Sequence, residues 1–231
     1  MKRGVCMYDK LSTSLLAEFI GTFALIFIGA GAGALGLGGL VGVAFAHGLV
    51  VLGFVYAYGH LSGAHVNPAV TVGLWAAGKM DAGRALSYIV FQLAGGALGA
   101  FALRWVLGGT ETGLGVTALA RGLEVGAARI DVSPAVGVAV EAVLTFFLVN
   151  CVLNAAVSGK AGNLAGVAIG LTLTFAILMG GPLTGASLNP ARSFGPALAT
   201  GNFADLWVYF LGPVLGAVAA AGLYRGMLGK H

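Results

Sequence analysis

The sequence predicts an all-α membrane protein of six transmembrane helices plus two half-helices, set out as an inverted 3+3 repeat. Three observations carry this expectation. The 231 residues are 58% hydrophobic and only 9% charged, with a mean hydropathy of +0.96, whereas a soluble domain carries about 25% charged residues. One motif occurs twice, as Ser62-Gly63-Ala64-His65-Val66-Asn67-Pro68-Ala69 and as Thr184-Gly185-Ala186-Ser187-Leu188-Asn189-Pro190-Ala191. The two copies keep register with a second pair: Asn67 and Asn189 are 122 residues apart, and Glu18 and Glu141 are 123 apart.

The apolar runs place spans at Leu15 to Leu35, Leu40 to Tyr58, Ala85 to Leu107, Ala135 to Ala156, Leu164 to Met179 and Leu206 to Leu223. Met1-Lys2-Arg3 ahead of the first run imitates a signal peptide. Cleavage is not expected, because the run is long enough to span, contains Glu18 and is followed by five more. Six spans put both termini on one side. Lys2, Arg3, Lys10, Lys79, Arg84, Lys160, Arg225 and Lys230 fall on that side, against Arg104, Arg121 and Arg129 on the other. The positive-inside rule therefore makes the termini cytoplasmic, in the plasma membrane, and the loop Gly108 to Ser133 external.

The chain reads as a single transmembrane domain with internal repeats of approximately 11–107 and 134–228. Three spans per half is an odd number, so the halves insert in opposite orientations. Each Asn-Pro-Ala is a helix start, since Asn is a favoured N-cap and Pro is favoured at the first helical position. Half-helices are expected from Pro68 to Ala77, stopping near Gly78, and from Pro190 to Ala199, stopping near Gly201. About ten residues at ~1.5 Å each make about 15 Å, half of a ~30 Å hydrocarbon core. Their N-termini should meet near the midplane, where irregular backbone is tolerated only inside protein or along a water-filled path.

That geometry implies a pore. Gly63, Ala64, His65 and Val66, with Gly185 and Ser187, present carbonyl acceptors, and Asn67 and Asn189 place amide donors at the centre. Each helix N-terminus carries about half a positive charge, which at ~4 Å and an effective dielectric of about 20 costs a monovalent cation on the order of 2 kcal/mol. The same field interrupts proton hopping along a water file. Glu18 and Glu141 read as structural acceptors for the irregular backbone. His65 is open to two readings, a carbonyl donor to the pore or a gate, of which the first is favoured.

Two Asn-Pro-Ala motifs in inverted three-span halves, a glutamate in the first span of each and Arg192 after the second motif resemble the aquaporin, or major intrinsic protein, family. The resemblance covers nearly the whole chain. It implies a passive water channel whose selectivity filter is His47, Ile177, Ala186 and Arg192. Depth agrees: His47 lies about 10 Å from the outer end of its span and Ile177 about 20 Å from the inner end of its own, both about 5 Å outside the midplane. The resemblance also implies a homotetramer with one pore per monomer.

The filter departs from the family's usual water-channel pattern, which has Phe at the position of His47 and His at that of Ile177. The His-Ile-Ala-Arg set is similar to some plant vacuolar aquaporins, and the isoleucine to archaeal members; the chain resembles a prokaryotic, archaeal-type water channel. Against a glycerol facilitator, Ser193 stands where those proteins have Asp, Ala197 where they have a basic residue, and Tyr209-Phe210 replaces their Pro-containing pair. Water is the expected permeant, with ammonia or another small neutral solute second. Ala186 occupies the family's common mercury-sensitive cysteine position, so mercury should not act there.

Other classes fit less well. A glycerol or small-solute facilitator is the first alternative. An alternating-access transporter needs a coupling ion site that the spans offer only through Glu18 and Glu141. An enzyme needs a nucleophile with its base, and neither that nor metal-ligand spacing is found; Cys6 and Cys151 form no disulfide framework. No cofactor is expected. The scattered basic residues exclude nucleic acid and leave membrane lipid as the surroundings. The pairs Gly95 with Gly99, Gly166 with Gly170 and Gly212 with Gly216 are small-residue helix contacts rather than ligand sites.

Overall fold

A computed structural model describes residues 10–228. Met1-Lys2-Arg3, Cys6 and Lys230 lie outside the described residues, as does the side chain of Lys10. Among the described residues six helices are long and apolar enough to span a bilayer: α1 (Leu11–Ala34), α2 (Gly39–Ser62), α4 (Ala82–Val106), α5 (Pro134–Val157), α6 (Gly162–Thr184) and α8 (Val208–Gly226). Two short helices interrupt the series, α3 (Pro68–Ala76) and α7 (Pro190–Thr200). The lipid-facing girdle is set by exposed large apolar residues such as Leu49, Leu86, Leu98, Trp105 and Phe147, a surface that only a bilayer or a neighbouring subunit could cover.

Local chemistry fixes the helix ends. Asp81 caps α4 by accepting from the Arg84 N–H at 2.8 Å, and Ser133 with Pro134 opens α5. Gly63, Gly185 and Gly201 end α2, α6 and α7 in the left-handed conformation, which glycine adopts without a Cβ clash. α6 runs through Gly180-Gly181-Pro182 to Thr184, past the sequence-based end at Met179. These glycines serve packing rather than termination: a Cβ on Gly180 would lie 2.3 Å from Leu144 Cδ1, and one on Gly181 2.5 Å from Leu40 Cδ1. Likewise α2 reaches Ser62, one turn beyond Tyr58, where the Ser62 hydroxyl finds a buried acceptor.

Helix pairing repeats between the halves. α1 packs on α4 and α5 on α8, while α2 and α6 cross each other. At that crossing a Cβ on Gly48 would meet the Gly170 carbonyl oxygen at 2.6 Å, and one on Gly170 would meet that of Gly48 at 2.7 Å. Gly95 and Gly99 approach the carbonyls of Phe19 and Phe23, and Gly212 and Gly216 those of Val138 and Ala142. Each short helix packs against the last span of the opposite half, α3 on α8 and α7 on α4.

The connection between α4 and α5 departs from a plain loop. It carries a two-stranded hairpin, Leu123–Val125 paired antiparallel with Ala128–Ile130. Before the hairpin the chain dips inward, with Leu114 fully buried and Gly115 so close that a Cβ would lie 2.4 Å from the Ala30 carbonyl oxygen. Cys151 is a half-buried free thiol in α5.

The tightest approach of one helix to another's backbone yields a prediction. A Cβ on Gly216 would sit 2.0 Å from the Ala142 carbonyl oxygen, so Gly216→Val should force α5 and α8 apart and cost about 3 kcal/mol. Thermal unfolding of detergent-solubilised protein, followed by helical circular dichroism, should show a clearly lowered midpoint.

Candidate pore and selectivity site

Between Gly63 and Asn67, and again between Gly185 and Asn189, the backbone is not helical, and its conformation repeats. Ala64 and Val66 have φ of 47° and 43°, and Ala186 and Leu188 have 42° and 53°. A left-handed β-branched residue such as Val66 is an outlier that persists only when its surroundings impose it. The imposing groups are carboxyls. Glu18 Oε1 accepts from the His65 N–H at 2.9 Å and the Ser62 hydroxyl at 2.6 Å, and Oε2 accepts from the Val66 N–H at 2.6 Å and Gln92 Nε2 at 2.7 Å. Glu141 Oε1 accepts from the Ser187 N–H at 2.9 Å and the Thr184 hydroxyl at 2.7 Å, and Oε2 from the Leu188 N–H at 2.8 Å.

Two further matched pairs complete each cradle. The hydroxyls of Ser62 and Thr184 accept from the N–H groups of Ala64 and Ala186. The Tyr88 and Tyr209 phenols donate to the Ser62 and Thr184 carbonyls, at 3.0 and 2.8 Å. Sequence reasoning assigned the glutamates to this role but missed Ser62, Thr184, Tyr88, Tyr209 and Gln92. Ser62 and Thr184 are 122 residues apart and the tyrosines 121, so matched polar and aromatic positions in the repeat register were the available signal.

The two motifs are also tied to each other. Asn67 Oδ1 accepts from the Ala69 N–H and Nδ2 donates to the Leu188 carbonyl at 2.8 Å; Asn189 Oδ1 accepts from Ala191 and Arg192, and Nδ2 donates to the Val66 carbonyl at 2.8 Å. The short helices therefore meet N-terminus to N-terminus. An amide nitrogen carries two hydrogens, so each asparagine keeps one that no group of the described chain accepts. The Val66 carbonyl, grouped by sequence with the pore acceptors, accepts from Asn189. Among the described residues no hydrogen bond reaches the carbonyls of Gly63, Ala64, His65, Gly185, Ala186 or Ser187.

A cavity of about 50 Å³, measured as the space open to the centres of water molecules, runs past both asparagines. A water needs about 10–15 Å³ on that measure, so the cavity has room for a few molecules of that size. Its walls are stripes at i, i+4 spacing, one helical turn per step, apolar apart from His47: His47, Val51 and Val55 on α2; Leu148, Val152 and Ala156 on α5; Ile169 and Leu173 on α6. Opposite them lie Gly63, Ala64, His65, Val66 and Ser187. Beyond Val55 and Ala156 it meets a wider mouth of about 440 Å³ that shares His65.

His47 and Arg192 both line this cavity and are 3% and 5% exposed. His47 Nδ1 is bonded to the Val43 carbonyl at 2.9 Å, and Gly29 leaves room for its ring, since a Cβ there would lie 2.7 Å from it. Arg192 Nη1 donates to the Gly115 carbonyl at 2.5 Å. His47 Nε2 and Arg192 Nε have no protein partner. Ile177, Ala186 and Gly185 stand outside the set that lines the enclosed cavity; Ile177 and Ala186 are buried, with Ile177 one turn beyond Leu173. Gly115 and Thr117 were not anticipated: Thr117 bonds Ser193, which bonds Ser187, each at 2.7 Å. The need of a buried guanidinium for acceptors was the signal that an outer segment must reach in. The His65 ring is held by Thr71 at 3.0 Å and lies edge-on to Tyr88 at 5.2 Å.

The Major intrinsic protein family profile matches residues 7–224. The chain belongs to that family. It is therefore a multi-pass membrane channel for small neutral solutes and not an enzyme. Curated relatives include aquaporin NIP1-3 of Oryza sativa subsp. japonica, 40% identical over 222 residues covering 94% of this chain and 74% of the relative. Aquaporin TIP4-4 of Zea mays is 42% identical, covering 93% and 86%. Aquaporin AqpM of Methanothermobacter marburgensis is 37% identical, covering 94% and 97%. Among solved structures, the aquaglyceroporin from Plasmodium falciparum superposes with a TM-score of 0.78 at 26% identity, covering 94% of this chain and 97% of that one.

Removing a cradle carboxyl should unfold its loop. Glu141→Ala strands the buried N–H groups of Ser187 and Leu188 and leaves the Thr184 hydroxyl only its 3.4 Å bond to the Gly180 carbonyl; two stranded donors at about 1–3 kcal/mol each come to on the order of 2–6 kcal/mol. Glu141→Gln, which keeps one acceptor oxygen, should lose less, and the order wild type, Gln, Ala should be visible in the thermal midpoints.

Proposed function

We propose that the chain is a passive water channel with a single-file pore that excludes ions and protons and passes ammonia or another small neutral solute second. The observation that carries this reading is the narrow cavity itself: largely apolar on the sides of α2, α5 and α6, with carbonyl acceptors on one wall, an unpaired acceptor at Nε2 of His47, whose Nδ1–H is spent on the Val43 carbonyl, and unspent donors at Arg192 Nε and the two asparagines. A molecule that both donates and accepts exchanges its water partners for these groups one at a time. A cation meets the Arg192 charge and two helix N-termini, and an anion meets walls too apolar to replace its hydration.

In this reading His47, Ile177, Ala186 and Arg192 form the filter, with Ile177 and Ala186 at the constriction that closes the enclosed cavity. Gly63, Ala64, His65, Gly185 and Ser187 supply the acceptor ladder, and His65, fixed by Thr71, acts through its carbonyl rather than as a swinging gate. The protein sits in the plasma membrane with cytoplasmic termini and assembles as a homotetramer with one pore per subunit, the halves 11–107 and 134–228 being the inverted repeats. The similarity to a Plasmodium falciparum aquaglyceroporin keeps a second reading in view, a channel that also passes glycerol.

Stopped-flow light scattering on proteoliposomes separates them. Sucrose should drive fast shrinkage with a low activation energy, and glycerol should give shrinkage without re-swelling; His47→Phe should keep water flux and lose ammonia flux. Re-swelling in glycerol selects the second reading, and shrinkage no faster than in empty liposomes contradicts both.

A further inference from the structure

A second polar pocket, of about 300 Å³, lies beside the pore on the side of the chain termini, between the end of α3 and the start of α4. The half-helix α3 starts where the two asparagine motifs meet and ends at Ala76, so the connection to Ala82 lies towards the end of the spans. Lys79 and Arg84 both line the pocket. Neither forms an ion pair: among the described residues the one ion pair is Arg121 with Asp205, on the opposite side.

The donors of these two residues are only partly spent. Arg84 Nη2 donates to Ser14 Oγ at 3.0 Å and to the Tyr88 phenol at 3.0 Å, and Nε reaches the same phenol at 3.3 Å. Nη1 makes no hydrogen bond within the described chain. The Lys79 ammonium lies over the Tyr224 ring at 5.2 Å and is otherwise open. Of the remaining charges nearby, Asp81 turns Oδ1 to the α4 N-terminus, and Arg225 on α8 donates to the Ala76 carbonyl at 3.2 Å. His65 forms part of the inner wall, held by Thr71. Lysine and arginine therefore outnumber the lone carboxylate of the lining.

We propose that this pocket binds a phosphate-ester oxyanion, carried by an anionic lipid headgroup or by free phosphate. The free Nη1 of the Arg84 guanidinium offers charged N–H donors to a phosphate oxygen, and Lys79 supplies a second, point-like positive charge in the same lining. Basic pockets between spans at the cytoplasmic surface suit anionic headgroups. The occupant shares the His65 wall with the pore, but its binding does not depend on what the pore conducts.

Native mass spectrometry of the full chain in detergent, titrated with phosphatidylglycerol or phosphatidylcholine, tests the site. Phosphatidylglycerol should bind about tenfold more tightly, and Lys79→Gln and Arg84→Gln should each weaken it about fivefold, while Arg121→Gln on the other side leaves it unchanged. If Arg84→Gln fails to fold because it loses Ser14 and Tyr88, Lys79→Gln carries the test. Displacement of the lipid by inorganic phosphate at constant ionic strength assigns the site to the free oxyanion, and retention assigns it to the headgroup. Equal weakening by Arg121→Gln, or none by either pocket variant, would overturn the proposal.

Discussion

A backbone that stops being helical inside a bilayer must place its N–H groups somewhere, and in this chain Glu18 and Glu141 take them. The segments 63–66 and 185–188 put four non-glycine residues in the left-handed region, a cost on the order of 1–3 kcal/mol for each. Hydrogen bonds to the two carboxyls offset that cost, at about 1.5–3 kcal/mol apiece when an acceptor is charged. Everything functional follows from the side on which the amides are bound. With their N–H groups turned to the carboxyls, the loops turn carbonyl oxygens elsewhere, and the segments 63–66 and Ser187 line the cavity.

The constraint is applied twice, and the small departures from symmetry are informative. Ser62, Tyr88 and Val66 have Thr184, Tyr209 and Leu188 as their counterparts, with the same bonds. Gln92 adds a fourth donor to Glu18 and ties it through Thr71 to His65. The second half instead links Ser187 through Ser193 to Thr117, and Arg192 to Gly115. The inner motif is thus braced from within the membrane, the outer one by a loop that folds back over it. This arrangement fixes Arg192 against Gly115 at one end of the cavity and leaves the end that shares His65 wider.

Much of this was legible in the sequence because membrane physics restricts the choices. The apolar runs gave the spans, the Asn-Pro caps gave both half-helices within one residue at each end, and the equal spacing of Glu18 with Glu141 pointed to their role. The end of α6 was misplaced because Gly180-Gly181-Pro182 reads as a stop, whereas packing against Leu144 and Leu40 decides it. Gly115 and Thr117 were missed because a buried arginine's need for acceptors says that some segment must turn back to meet it, but not which residues of the loop do so. The hairpin at 123–130 was missed for a similar reason, being short and largely exposed.

Hydrogen exchange read by mass spectrometry on the reconstituted protein addresses the carboxyl cradles directly. If Glu18 and Glu141 hold the loops, the amides of residues 64–66 and 186–188 should exchange as slowly as those in the middle of α2 and α6, although they are not helical and border a water-filled path. Exchange as fast as in the outer hairpin would mean that the carboxyls do not bind these amides in the membrane, and would contradict the dependence of the pore's shape on Glu18 and Glu141.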